Sequence, residues 1–326
     1  MKARRFLPTP TDALLLLMVV IWAGNYTIVK ITLREIPPLA FNSLRLALAS
    51  LLFLVSLAVA PAPSHAGQSD APASGRAGRR WFASARDIST REWAVLAGVG
   101  VLGHFIYQLC FMGGLSRTTV SNSSLILGCS PIVVTFLSAA VGHERVNGWH
   151  WAGALLSLVG IYLLAGRGAE ISQATLTGDA LCLAAVVCWS IYTVASRPLL
   201  TRHSPMTLTG YSMAFGTLPY VALGMTDLRR LDWGAVSLSA WIALAFSATF
   251  ALYVAYLIWY TSVQRVGNVR TSVFSNLLPL LSMAVAAVWL GERFTPAALG
   301  GAAAIVGGVA LTRMGRPAET GQPPEE

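Results

Sequence analysis

Charge is what this chain has least of. Only 11% of its 326 residues are Asp, Glu, Lys or Arg, where a soluble domain carries about a quarter. Lysine is confined to Lys2 and Lys30, and no long apolar stretch holds an Asp or Glu near its middle. So little charge excludes a chain whose main solvent is water. The net charge of +9 does not make a nucleic-acid surface, because the arginines stand singly between apolar blocks; nucleic acid is not an expected partner. The four cysteines, Cys110, Cys129, Cys182 and Cys188, all lie in apolar stretches, where a thiol behaves as a small hydrophobe. They show neither a disulfide framework nor zinc spacing, and no metal or cofactor is expected.

Other motifs are missing too. Neither lysine ends a glycine-rich phosphate loop, so an ATP-driven pump would need its motor from a partner subunit. There is no Asp-rich metal or diphosphate motif, no Gly-x-Ser-x-Gly and no second mid-span His beside His104, which leaves an intramembrane enzyme as a remote alternative. No short interrupted stretch suggests a channel filter.

What is present is apolar residue in bulk: 55% of the chain. A helix crosses the hydrocarbon in about 20 residues, and that template predicts ten spans, at 13–31, 39–60, 93–113, 119–141, 148–166, 177–196, 206–224, 238–262, 268–290 and 296–312. The expected fold is all-α and integral to the membrane. The basic residues before the first span resemble a signal peptide, but the apolar run continues to Ile31, so an uncleaved span is expected. Residues 61–91, rich in Pro, Ala, Gly, Ser and Arg, read as a flexible loop, and the polar tail 313–326 as disordered. Alternate sides of the ten spans receive fifteen and seven Lys and Arg, with Arg45 inside the second span. The richer side includes the N-terminal segment 1–12, which predicts both termini in the cytoplasm and a multi-pass location in the cell's inner membrane.

An internal repeat organises the chain. At an offset of 148, Pro131 meets Pro279, Glu144 meets Glu292, Arg145 meets Arg293, Gly153 meets Gly301 and Gly160 meets Gly308. At an offset of 167, Trp22 and its neighbours to Tyr26 meet Trp189–Tyr192, the longer step reflecting the loop present in the first half alone. Each half, 13–166 and 177–312, therefore holds five spans. An odd number makes the halves insert in opposite senses, giving two inverted five-helix repeats, a design on which many transporters are built.

The repeat units resemble the EamA-type transporters of the drug/metabolite transporter superfamily. The resemblance is carried by Trp22–Tyr26, by Arg45 in Leu44–Ala47, by Pro131 followed by Gly142-His143-Glu144, by Gly178-Asp179-Ala180, by Trp189 and Pro279, by Leu290-Gly291-Glu292 and by the glycine-rich last span. It covers about residues 14–312 and departs where His143 stands in place of the Gly before Glu144. It implies a ten-helix bundle around a central substrate path, commonly with export of amino acids or other metabolites.

Several side chains are candidates to line that path. His104 is the mid-span group whose ordinary pKa lies nearest physiological pH, and it shares helical spacing with Tyr107, Gln108 and Phe111; it either carries a coupled proton or is hydrogen-bonded between helices. Ser124, Gly128 and Pro131 repeat as Ser272, Asn276 and Pro279, and a helical proline frees a carbonyl that is tolerated only against protein or water. These stripes meet substrate or pack helices closely. Trp22 with Asn25, Trp189 with Tyr192, and Tyr253 with Tyr256 set aromatic and amide groups at helical spacing, suited to amphipathic or aromatic solutes; Trp259 and Tyr260 read as interfacial belt residues. Arg45 either snorkels outward or faces the bundle and attracts a carboxylate or phosphate. Glu144 and Glu292 are expected in local ion pairs or helix caps. Gly153 with Gly160, and Gly301 with Gly308, are read as close-packing faces or as the surface of a homodimer. The expected function is export of amino acids or related small metabolites by alternating access, with an importer of a metabolite or vitamin as the alternative.

Overall fold

The computed structural model describes residues 9–59, 88–118, 120–142, 144–165, 173–281 and 296–314. The expected flexible loop falls almost wholly outside these, as do His143, Glu292, Arg293, the later half of the ninth span and the polar tail past Met314. The described residues are almost entirely helical: α1 Pro10–Thr32, α2 Pro38–Val59, α3 Thr90–Leu115, α4 Val120–Leu127, α5 Ser130–Ala140, α6 Gly148–Ala165, α7 Gln173–Leu200, α8 Pro205–Arg230, α9 Leu238–Val266, α10 Asn268–Phe274 and α11 Pro296–Met314. In hydrocarbon every backbone N–H and C=O must be satisfied within the segment, and a helix does that. Among the described helices, Pro38–Val59, Thr90–Leu115, Thr175–Leu200 and Leu238–Val266 are long and apolar enough to cross a membrane, and shorter apolar helices lie at Pro10–Asn25, Leu125–Ala140, Gly148–Leu163 and Leu299–Thr312. α8 is long but carries Thr, Ser and Gly on its buried side.

The boundaries repeat as the sequence does. α3 and α9 start 148 residues apart, each after a serine N-cap, Ser89 and Ser237, whose hydroxyl accepts a backbone N–H of the first turn. α4 and α10, and α6 and α11, also start 148 residues apart, and α2 and α8 start at prolines 167 apart. Two details escaped the template. α3 and α9 each contain a π-helical stretch, Val101–Ile106 and Ser247–Val254, and the two stretches end 148 residues apart. The fourth and ninth spans, expected to be continuous over 119–141 and 268–290, are broken: helix stops at Leu127 and resumes at Ser130, and stops at Phe274 and resumes at Leu277.

The helices gather into two compact units, each drawing on both halves of the chain. One comprises Met1–Gly24, Ile106–Val194 and Arg265–Glu326; the other comprises Asn25–Phe105 and Ala195–Gln264. In the first, α6 packs along α11 through the paired glycines. A methyl group at Gly153 would stand 2.5 Å from the Gly308 carbonyl oxygen, and one at Gly160 would stand 2.7 Å from that of Gly301. The glycine faces are thus occupied within the chain. The outer side of these helices exposes Leu155, Val159, Tyr162 and Val306, as a lipid-facing surface does.

In the second unit α2 packs on α8, where Gly210 admits Phe53, Gly224 admits Ser43, and the hydroxyls of Ser50 and Thr217 meet at 2.8 Å. α3 also runs against α8, with Gly100 and Gly216 placing backbone on backbone beside His104. The start of α9 is held from the turn after α1: Glu35 accepts the Ser237 N–H at 2.8 Å and its hydroxyl at 2.9 Å. Those bonds, the backbone one foremost, hold the Glu35 carboxyl below its usual range.

Overpacking a close-packed helix seam costs about 1 to 3 kcal/mol. Gly160→Leu is therefore expected to lower thermal stability and the amount of protein in the membrane, whereas Gly300→Ala, with nothing within 4 Å of the added carbon, leaves both unchanged. Quantitative immunoblots and thermal-shift curves on detergent-purified protein make the comparison.

Candidate functional site

Both broken helices belong to the first unit. In the fourth span, Pro131 sits in the first turn of α5, where its missing N–H and its ring oppose continuation of α4. The chain turns through Gly128 and Cys129, with the Cys129 N–H on the Ile126 carbonyl at 3.0 Å. The second half repeats this at Ser275 and Asn276, whose N–H groups reach Ser272 and Val273 at 3.1 Å. Side-chain hydroxyls take up carbonyls around the breaks: Ser130 bonds Leu127 O at 2.6 Å, Thr135 bonds Pro131 O at 2.6 Å, Ser275 bonds Ser272 O at 2.7 Å and Ser272 bonds Val269 O at 2.9 Å. Asn276 stands in the second break, 2% exposed, and its side-chain N–H₂ finds no acceptor among the described residues. Its counterpart Gly128 is buried, as is Pro131, while Pro279 is half-buried. The side chain of Ser124 lies outside the described set.

An aromatic group lies in the same unit. The rings of Trp22 and Trp189, equivalent positions of the two halves, meet edge to face at 6.2 Å. Tyr107 lies 5.2 Å from Trp189 and stacks on Phe111 at 5.6 Å, and Tyr192 meets Trp189 at 6.0 Å. Four residues predicted from helical spacing on three different spans, Trp22, Tyr107, Trp189 and Tyr192, therefore form one cluster. Trp22, Tyr107 and Phe111 stay partly exposed within it. Gln108 is buried at 2% exposure.

The first turns of the short pieces α4 and α10 are held by carboxylates, and sequence reasoning missed this. Asp12, in the first turn of α1, accepts the Arg270 guanidinium of α10 at 2.7 Å and the N–H and hydroxyl of Thr9 at 2.8 Å each. Asp179, in α7, accepts the Thr118 hydroxyl and, at 3.0 Å on each oxygen, the Asn122 amide of α4. Gly178 lets the backbone of Arg117 and Thr118 approach, since any side chain there would collide with it. Glu144 caps α10 through the N–H groups of Asn268 and Val269, and Ser138 meets the Asn268 amide at 3.3 Å. The signal was available: the 167 offset pairs Asp12 with Asp179, and the 148 offset pairs Asn122 with Arg270.

The second unit holds the remaining candidates. Arg45 faces inward rather than snorkelling: it is 4% exposed, its guanidinium reaches the Ser247 hydroxyl at 3.3 Å and stands 5.6 Å over the Phe41 ring. Asn42, one turn earlier, and Tyr220 are fully buried beside it. His104, in the π stretch of α3, is fully buried with its ring 5.4 Å from Tyr256. Tyr253 turns to Phe53 at 4.6 Å and shares a 2.8 Å hydrogen bond with Ser56. Asn25 is half-buried. Trp259 and Tyr260 are fully buried, which corrects the interfacial-belt expectation: their position near a span end did not show that α9 is packed on all sides from Ala255 to Val263.

An apolar groove of about 400 Å³ beside the first break is lined by Leu125, Ile126, Cys129, Leu158, Val159 and Tyr162, of which Val159 and Tyr162 are exposed. Apolar helices of spanning length, with a buried cation, buried amides and interrupted helices inside, define a multi-pass helical membrane protein of the kind that moves solutes. The chain belongs to the EamA-like transporter family, whose model matches residues 9–75, 77–166 and 176–314. It is a transporter of the drug/metabolite superfamily, working in a membrane on a small molecule.

Among its relatives it is 26% identical to the uncharacterized transporter YyaM of Bacillus subtilis, over 57% of this chain and 62% of that protein. It is 26% identical to the probable terminal-alkyne amino-acid exporter of Streptantibioticus cattleyicolor, over 95% of this chain and 96% of that one. A solved crystal structure shares its fold with a TM-score of 0.71 at 20% identity, covering 92% of this chain and 95% of the other.

Replacing Asn276 or Trp22 by alanine is expected to lower transport about tenfold while leaving insertion and abundance intact, as transport assays paired with immunoblots would read. Equal loss of protein and activity would make them packing residues.

Proposed function

We propose that this protein is a secondary transporter that exports amino acids or related small metabolites by alternating access. In this reading residues 13–166 and 177–312 are inverted repeats, and the helices they contribute rearrange so that the substrate path opens in turn to the cytoplasm and to the outside, with both termini cytoplasmic in the inner membrane. The observation that carries it is the pair of breaks, at Gly128–Cys129 and Ser275–Asn276. Discontinuous helices at matching points of two halves are where transporters of inverted design bind their cargo, and here one break holds the buried amide of Asn276. The aromatic cluster of the first unit suits an apolar or aromatic side chain. Buried Arg45 in the second unit suits a carboxylate. The Streptantibioticus relative is named as an amino-acid exporter.

Proton coupling, in the same reading, passes through His104, the imidazole of the described spans nearest mid-depth. Purified protein in proteoliposomes, offered a panel of radiolabelled amino acids and other metabolites with and without an imposed pH gradient, is expected to accumulate one amino-acid class when the gradient is present. His104→Gln is expected to abolish the response to the gradient while leaving substrate exchange. Accumulation of a vitamin or sugar would replace the cargo and keep the mechanism; gradient-dependent uptake by whole cells would replace export by import. No flux from folded protein would overturn the transport reading.

A further inference from the structure

The two carboxylate contacts of the first unit are one contact made twice. Asp12 and Asp179 are 167 residues apart, and their partners Arg270 and Asn122 are 148 apart. In each case a carboxylate near the start of one half's first helix grips the third residue of the other half's broken helix. Both contacts therefore join the two halves. They also sit at a fixed distance from the breaks: Asn122 lies six residues before Gly128, and Arg270 six residues before Asn276.

The gripped pieces are short, 8 residues in α4 and 7 in α10. Helices of that length have almost no stability of their own, so their placement follows from what holds them. The two grips are unequal. Arg270 supplies a full positive charge to an Asp12 carboxylate that is 4% exposed. Asp179 receives only neutral donors among the described residues, the Asn122 amide and the hydroxyls of Thr118 and Thr175. Both carboxylates accept charge-assisted hydrogen bonds, but only Arg270 adds the Coulombic attraction of an opposite charge.

We propose that Asp12–Arg270 and Asp179–Asn122 are matched latches between the two halves, one for each broken helix, and that their inequality sets which end of the transporter opens more readily. This rests on the alternating-access reading, in which inversion puts the Arg270 latch at the cytoplasmic end and the Asn122 latch at the outer end. The outer end then opens at lower cost. The four residues are positioning residues: they act on the breaks, through the placement of α4 and α10, and need not touch cargo.

The test uses the full chain, freed of its native cysteines and carrying Ser275→Cys at the second break, in vesicles of one orientation. Labelling by a membrane-impermeant maleimide is timed from each side separately. Arg270→Asn is expected to speed labelling from the cytoplasmic side, and Asp179→Asn from the outer side, each by about fivefold, the size of an ordinary conformational coupling. Asn122→Arg, which gives the outer latch a charge, is expected to slow outer labelling. The swapped pair Asp12→Arg with Arg270→Asp is expected to return the parent's ratio, which a merely structural role would not do. Variants that label like the parent from both sides, or that lose protein and labelling alike without rescue, would overturn the latch proposal. Labelling confined to one side in the parent and in every variant would overturn alternating access, and the latches with it. Two-sided labelling with the expected shifts, in a protein that moves none of the tested solutes, would leave the latches standing and the cargo assignment failed.

Discussion

Everything in this fold depends on the backbone having no water to turn to. An unsatisfied amide in hydrocarbon costs several kcal/mol, so the described chain is helix wherever it can be, and departures from helix are confined to places where protein supplies the missing partners. The hydroxyls of Ser130, Thr135, Ser272 and Ser275 each bond a carbonyl at or near a break. The π stretches of α3 and α9 keep their backbone bonds while shifting the register of the side chains that follow. Irregularity is thus local, supported and present twice.

Duplication explains the layout, and divergence between the copies explains the chemistry. The same position is glycine in one half and asparagine in the other, Gly128 and Asn276, and likewise asparagine and arginine at Asn122 and Arg270. The two halves keep the same breaks while offering different groups to what lies beside them. Trp22 and Trp189 show the opposite case, an identity kept and brought into ring contact.

Much of this was legible in the sequence. The helix starts follow from hydrophobic length, and the repeat offsets paired Pro131 with Pro279, Gly128 with Asn276 and the glycines of the two seam helices. The breaks were missed because a proline in an apolar run reads equally as a kink, and only the paired turn residues before it decide the matter. Arg45 was undecided because snorkelling and burial depend on what faces it, here Ser247 some two hundred residues on. Trp259 and Tyr260 were misplaced for the same reason: amphipathic aromatics near a span end are equally at home at the interface and in a packed core, and neighbours from distant sequence settle which. Asp12 drew no attention and Asp179 stood out only within the Gly178-Asp179-Ala180 motif, yet aligning the halves makes them a pair.

The seam between α6 and α11 has a consequence for how the protein is made. Gly153 and Gly160 meet partners that are more than a hundred residues away in sequence, on the last helix of the described chain. During synthesis α6 enters the membrane with its glycine face uncovered and stays so until α11 has been made. Closure of the first unit therefore waits on α11, and until that helix is made the unit is an open assembly.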